Sequence, residues 1–106
     1  MQSSKYYVYI LSNKMNSVLY TGMTDNICRR VLEHKLKLRI GFTSHYNVDK
    51  LVYYEILESA DKAIKREAKI KAGSRKKKIE LINNFNKNWH DLYLEISSNK
   101  EIASSR

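Results

Sequence analysis

Two runs rich in β-branched and aromatic residues, KYYVYIL at 5–11 and VLYTG at 18–22, stand on either side of the turn-like SNKMNS. Side chains that suit a pleated surface, joined by so short a polar link, commit the start of the chain to an antiparallel β-hairpin. Whatever follows must pack on that hairpin.

Asp25 or Thr24 is placed to cap a helix in which Ile27, Val31 and Leu38 recur at helical spacing, with Arg29 and Glu33 on the far side, and which should run to about Leu38. RIGFTSHYN at 39–47 is a loop by composition, and KLVYYEIL at 50–57 reads as a third strand. A second helix starts at Ser59 or Asp61 and stops at Gly73; Ser74 caps a third, RKKKIELINNF. NWHDLYLEI carries enough apolar residues to fold back on the rest. The expected order is β-β-α-β-α-α, a small sheet with helices packed on it, so the fold class is α/β (α+β).

A chain of 106 residues has room for one compact domain, expected over residues 1–96 with a frayed tail at 97–106. Lys and Arg exceed Asp and Glu by 20 to 11, a formal net charge of +9, which favours polyanions: DNA, RNA or an anionic membrane. No apolar run approaches the length of a membrane span, and the second helix lacks the aromatic residues of a membrane-surface helix. The N-terminus shows neither a basic leader nor a small-residue cleavage site, so a cytoplasmic location is expected. Cys28 is the single cysteine, which excludes an intramolecular disulfide and a cysteine metal cage.

The second helix carries the sharpest chemical signal. Ala60, Ala63, Ile64, Ala68 and Ile70 define an apolar arc, and Glu67 falls in the middle of it among Lys62, Lys65, Arg66, Lys69 and Lys71. A carboxylate facing inward needs a cationic partner, a proton or a metal ion, and an ion pair with an arginine is the alternative to a catalytic role. On the first helix Arg30 and His34 lie one turn apart beside the Ile27/Val31 stripe, and the hairpin adds Tyr9 and Tyr20. Each of these residues has an ordinary packing role open to it. Together they supply what phosphodiester hydrolysis requires: a proton acceptor for water, a cation against the charge growing on phosphate, and an oxygen ligand for a hard metal.

These residues resemble the GIY-YIG nuclease family, whose two strand motifs appear here as Tyr7-Val8-Tyr9 and Tyr20-Thr21-Gly22. The similarity continues through Arg30, His34 and Glu67 to IKREAKIKAGSRKKKIELI and NWHDLYLEI, which resemble the small stand-alone bacterial branch. The resemblance implies a three-stranded antiparallel sheet flanked by helices and a DNA endonuclease or nickase dependent on Mg²⁺ or Mn²⁺. It implies that Tyr9 is the general base or orients the attacking water with Tyr20 beside it, that Arg30 holds the scissile phosphate, and that His34 assists water positioning or proton transfer. Glu67 would bind the metal. As a base Tyr9 would need a nearby positive charge to lower its hydroxyl pKa. Tyr7, Thr21 and Met23 depart from the pattern, Met23 standing where repair-type members carry a lysine.

Gly22 is expected to serve a turn between strand and helix. The basic run KIKAGSRKKK, with Lys69, Lys71, Arg75, Lys76, Lys77 and Lys78, suits contacts along a nucleic-acid backbone, whether DNA or RNA. A role in DNA repair or recombination accompanies the nuclease reading. The alternatives are a nucleic-acid-binding module of weak activity and a nuclease subunit whose protein partner supplies specificity.

Overall fold

The computed structural model describes residues 5–99; the expected leaderless N-terminus and most of the expected tail lie outside them. The elements are β1 (Tyr6–Ser12), β2 (Leu19–Thr24), α1 (Ile27–Lys35), α2 (Phe42–His45), β3 (Lys50–Leu57), α3 (Ala60–Ala72), α4 (Arg75–Phe85) and α5 (Tyr93–Ser98). The three strands form one antiparallel sheet in the order β2-β1-β3, so β1 is the central strand and pairs on both sides.

Both faces of the sheet are covered, and the period of two along β1 separates them. Tyr7, Tyr9 and Leu11 point to the face packed by Ile27 and Val31 of α1, Val48, and Leu92 and Ile96 near the C-terminus. Val8 and Ile10 point to the face packed by Ala63 and Ile70 of α3 and Ile82 of α4. A bulge shifts the β1–β3 register between Ile10/Tyr53 and Leu11/Leu51, so Val52 is the extra residue. The shift lets Leu51 and Tyr54 serve the first core while Val52 and Tyr53 serve the second.

The caps set the helix bounds. Ser59 and Ser74 accept from the backbone N–H groups of Lys62 and Lys77, as their positions imply, and Gly73 ends α3. For α1 the cap is Asn26, whose side chain accepts from Arg29 N–H; Thr24 instead hydrogen-bonds the backbone of Asn26. That helix stops at Lys35, short of Leu38, because Lys37 takes a left-handed conformation at φ 57°. The amides of Lys37 and Leu38 then reach back to the carbonyls of His34 and Glu33, closing the helix as a glycine normally would.

The segment expected to be a loop contains the short α2, and the C-terminal segment folds back as α5, which takes in Ser97 and Ser98. Asp91 and Asn86 attach that return: Asp91 accepts from Leu51 N–H, and Asn86 donates to the carbonyls of Val52 and His90. Among the described residues no helix is long and apolar enough to cross a membrane.

Candidate active site

The register of the hairpin sets Tyr9 opposite Gly22. The Tyr9 ring lies across the glycine: a Cβ built on Gly22 would stand 2.6 Å from the Tyr9 hydroxyl oxygen and 3.1 Å from the Tyr20 ring. Gly22 lies within β2, not in a turn, and of the glycines only Gly41 has a positive φ. The residue is therefore required by the close approach of an aromatic ring, which corrects the expectation that a turn demands it.

Three rings meet beside that glycine. Tyr9 and Tyr20 are 6.4 Å apart between centroids, Tyr9 and His34 6.3 Å, and Tyr20 and His34 5.8 Å. The Tyr9 hydroxyl lies 3.4 Å from His34 Nε2, and His34 Nδ1 lies 3.0 Å from Thr43 Oγ1. This buried chain from β1 through α1 ends on α2, in the segment expected to be a loop. Thr43 was missed because a lone threonine in RIGFTSHYN carries no periodic signal.

Burial pushes the Tyr9 hydroxyl up to about 12 and the neighbouring Tyr20 adds to the rise, while Arg30 pulls the other way. The lowering that a tyrosine base would need is thus absent, even though the arginine is in place. His34 moves oppositely: burial, then the charges of Arg39 and Arg30, hold its imidazole below 6.5. It is neutral at neutral pH, which leaves one ring nitrogen free to accept a proton.

Arg30 is fixed by Glu33, whose Oε1 lies 3.2 Å from Arg30 Nε. The two atoms are buried and form an ion pair without being aligned for a hydrogen bond. Glu33 also faces Arg29 at 3.8 Å and Arg39 at 3.6 Å, so it gathers three arginines at the rim of the ring cluster. Sequence reasoning set Glu33 on the far side of the helix; the structure half-buries it next to Arg30.

Glu67 sits apart from this cluster. It belongs to α3, which packs against Val8 and Ile10 on the other face of the sheet, and its carboxylate is half-buried and paired with Lys71 at 3.3 Å. The arc that placed it inward is also shifted, because Ile64 is 56% exposed and Ala68 is exposed. Glu67, with 20% of its side chain exposed, is no less buried than its neighbour Arg66 at 30%, which donates to both oxygens of Glu55 at 2.7–3.0 Å. Tyr53 donates to the same carboxylate. The arginine ion pair weighed as the alternative for Glu67 therefore exists one residue away.

Of the basic run, Lys69, Lys77 and Lys78 line a groove between α3 and α4 with Arg66, Ile70 and Leu81. Arg75 is engaged with the hairpin turn, donating to the Ser17 carbonyl at 3.0 Å, Lys71 pairs with Glu67, and Lys76 is exposed. Among the described residues no group of three or more His, Cys, Asp or Glu side chains is arranged to hold a metal. Of the expected site residues Glu67 is the one with a carboxylate to offer a hard divalent cation, which would compete with Lys71 and draw its other oxygens from water and phosphate.

Comparison with known proteins finds a family and related chains. A family model described as the GIY-YIG catalytic domain matches residues 5–83. A UPF0213 protein of Syntrophus aciditrophicus is 44% identical over 80 residues, 74% of this chain and 91% of the relative. One from Staphylococcus saprophyticus is 38% identical over 78 residues, 74% of this chain and 94% of the relative. The solution NMR structure of a UPF0213 protein from Bacillus halodurans superposes with a TM-score of 0.52 at 27% identity, covering 90% of this chain and 97% of that one.

Proposed function

The chain belongs to the GIY-YIG catalytic domain family, a family of nucleases, and on that premise we propose that it is a divalent-metal-dependent endonuclease or nickase that hydrolyses phosphodiester bonds in DNA. The observation that carries this reading is the convergence of Tyr9, Tyr20, Arg30 and His34 on one face of the hairpin.

In this reading Arg30 binds a non-bridging phosphate oxygen and offsets the charge that grows there, a task suited to a permanently charged, two-pronged donor. Tyr20, half-buried where Tyr9 is buried, orients the attacking water. The water proton passes to the Tyr9 oxygen as the Tyr9 proton passes to His34 Nε2, with Nδ1–H held by Thr43. No tyrosinate forms, so a hydroxyl pushed up to about 12 is no obstacle. A bound phosphate also offsets Arg30 and Arg39, the two charges that hold His34 down. Glu67 would be the protein ligand of the cation, which supplies further positive charge at the phosphate. A substrate that touches both Glu67 and Arg30 must then lie across the free edge of β2.

Incubating purified protein with supercoiled, linear and branched DNA in Mg²⁺ or Mn²⁺ tests the proposal, beside Arg30→Ala, Glu67→Ala and a chelator control. Cleavage should need the metal and vanish in both variants. Undiminished cleavage by Arg30→Ala would remove the ring cluster from consideration as the active site. A nucleic-acid-binding module of weak activity is the second reading, favoured by one observation: Glu67 is paired with Lys71 on the sheet face opposite Arg30. Salt-sensitive binding to every substrate without cleavage would establish it.

A further inference from the structure

The ring cluster does not end at the buried site. Tyr20 stacks on Phe42 at 6.4 Å and 29°, Phe42 packs on Tyr46 at 5.0 Å, and Tyr46 meets His45 edge-on at 4.6 Å. The series runs outward: Tyr9 is 1% exposed, whereas Phe42 is 49% and Tyr46 48% exposed. Gly41, at φ 142°, turns the chain into α2 immediately before Phe42, and Ile40 just ahead of it is 96% exposed. Aromatic rings left half in water beside a buried core keep apolar surface that a further partner can cover.

The charge around those rings selects the occupant. Residues 35–47 include Lys35, Lys37 and Arg39 and no acidic residue. Lys37 and Arg39 keep about half of their side-chain surface in solvent although they face Asp49 and Glu33. Flat apolar faces next to exposed cations match a nucleotide, with the base on the ring and the phosphate on the cation. In a duplex the base faces are covered by their stacked neighbours, so only an unpaired base has a face to offer.

We propose that α2 and the turn before it form a stacking platform for unpaired bases, which leads a single-stranded segment of nucleic acid to the Tyr20–Arg30 site. The inference rests on the nuclease reading for its direction and names the substrate class: single strands, or the unpaired part of a branched or flapped molecule. Tyr46 and the exposed part of Phe42 take the base, and Lys37 and Arg39 the flanking phosphates.

The test is equilibrium binding in the presence of a chelator, so that no cleavage is needed. A short labelled oligothymidylate and its duplex with oligoadenylate are titrated with wild type, Tyr46→Ala, Tyr46→Leu and Tyr46→Trp at one salt concentration, circular dichroism confirming each fold. The single strand should bind more tightly than the duplex. Tyr46→Ala and Tyr46→Leu should each weaken it about tenfold, the loss of one base–ring stack, while Tyr46→Trp retains it. Duplex binding should change by less than about twofold. Oligouridylate bound in the same pattern would extend the platform to RNA.

Equal affinity for single strand and duplex, or a Tyr46→Leu variant that binds as wild type, would overturn the proposal. So would a dimer by sedimentation that Ile40→Glu dissociates, which would give the face to a second copy of the chain. Because cleavage is not read, a protein that prefers single strands yet cuts nothing would leave the platform standing and remove the nuclease reading. One that cuts without the preference would do the reverse.

Discussion

A methyl group on Gly22 would lie 2.6 Å from the Tyr9 hydroxyl oxygen and 2.7 Å from the ring carbon that bears it. Tyr9 is 1% exposed and stands on the central strand, so its ring cannot swing into solvent to make room. Gly22→Ala should therefore destabilise the fold by about 1–3 kcal/mol, the usual cost of overpacking a filled core. In a Tyr9→Leu background, where the ring is gone, the same substitution should be far cheaper. A double-mutant cycle from urea unfolding reads the coupling; additive costs would show that the ring is not what demands the glycine.

Tyrosine ionisation offers a second check. Burial pushes both Tyr9 and Tyr53 up to about 12, and Glu55, which accepts the Tyr53 hydroxyl, adds to the second shift. In the unfolded chain both hydroxyls ionise near 10, so as pH rises past 10 the unfolded state loses protons first and stability falls. At the acid end the sign reverses in origin but not in outcome. His34 is held below 6.5 by burial and by Arg39 and Arg30, so below that pH the unfolded chain takes up the proton first and stability falls again. Stability should be flat between these limits as far as these three groups set it. Spectrophotometric titration near 295 nm should find Tyr9, Tyr53 and Tyr54, which burial also raises, titrating late, and one late tyrosine should be lost in Tyr9→Phe.

The hairpin, β3, α3 and α4 were legible because their signals are local: alternating aromatic and β-branched residues, Ser59 and Ser74 as caps, Gly73 as a stop. The end of α1 was not, since Lys37 occupies the left-handed position that glycine usually announces. Tyr9, Tyr20, Arg30 and His34 could be grouped because sheet alternation and one helical turn place them together. Thr43 could not, since its meeting with His34 depends on a chain reversal that periodicity does not encode. On α3 the arc was misplaced at Ile64 and Ala68, which are exposed, whereas the packing uses Ala63 and Ile70, with Glu67 half-buried on one side of them and Arg66 on the other.

That arginine supports a third prediction. Burial works to raise the Glu55 carboxyl, but the hydrogen bonds from Arg66 and Tyr53 and the charge of Arg66 outweigh it and hold the group below 4.5. A depressed carboxyl stabilises the fold above its unfolded value and loses that contribution as pH falls through the folded one. Glu55→Gln should therefore cost about 1–3 kcal/mol at neutral pH, the worth of a two-pronged charged hydrogen bond, and much less in acid. Urea midpoints at both pH values decide it. A difference that does not shrink in acid would mean that the substitution costs packing, not charge.

In the proposed relay His34 must accept at Nε2, which requires its proton on Nδ1, and Thr43 Oγ1 at 3.0 Å is the acceptor that holds it there. Thr43→Val keeps the shape of the side chain but removes that acceptor, leaving a buried N–H unpaired at about 1–3 kcal/mol. The imidazole escapes the penalty by moving its proton to Nε2, which closes the relay to Tyr9. Cleavage should then fall by roughly 10²-fold in kcat, the scale of a lost proton-transfer step, with KM unchanged because Thr43 touches no phosphate in this reading. Thr43→Ser should restore the rate. Nitrogen chemical shifts of the His34 ring separate this from simple loosening: the wild type should carry its proton on Nδ1 and Thr43→Val on Nε2. A variant that changes tautomer yet cuts at the wild-type rate would show that the proton leaves the water by another path, and Tyr20 would then be the next hydroxyl to test.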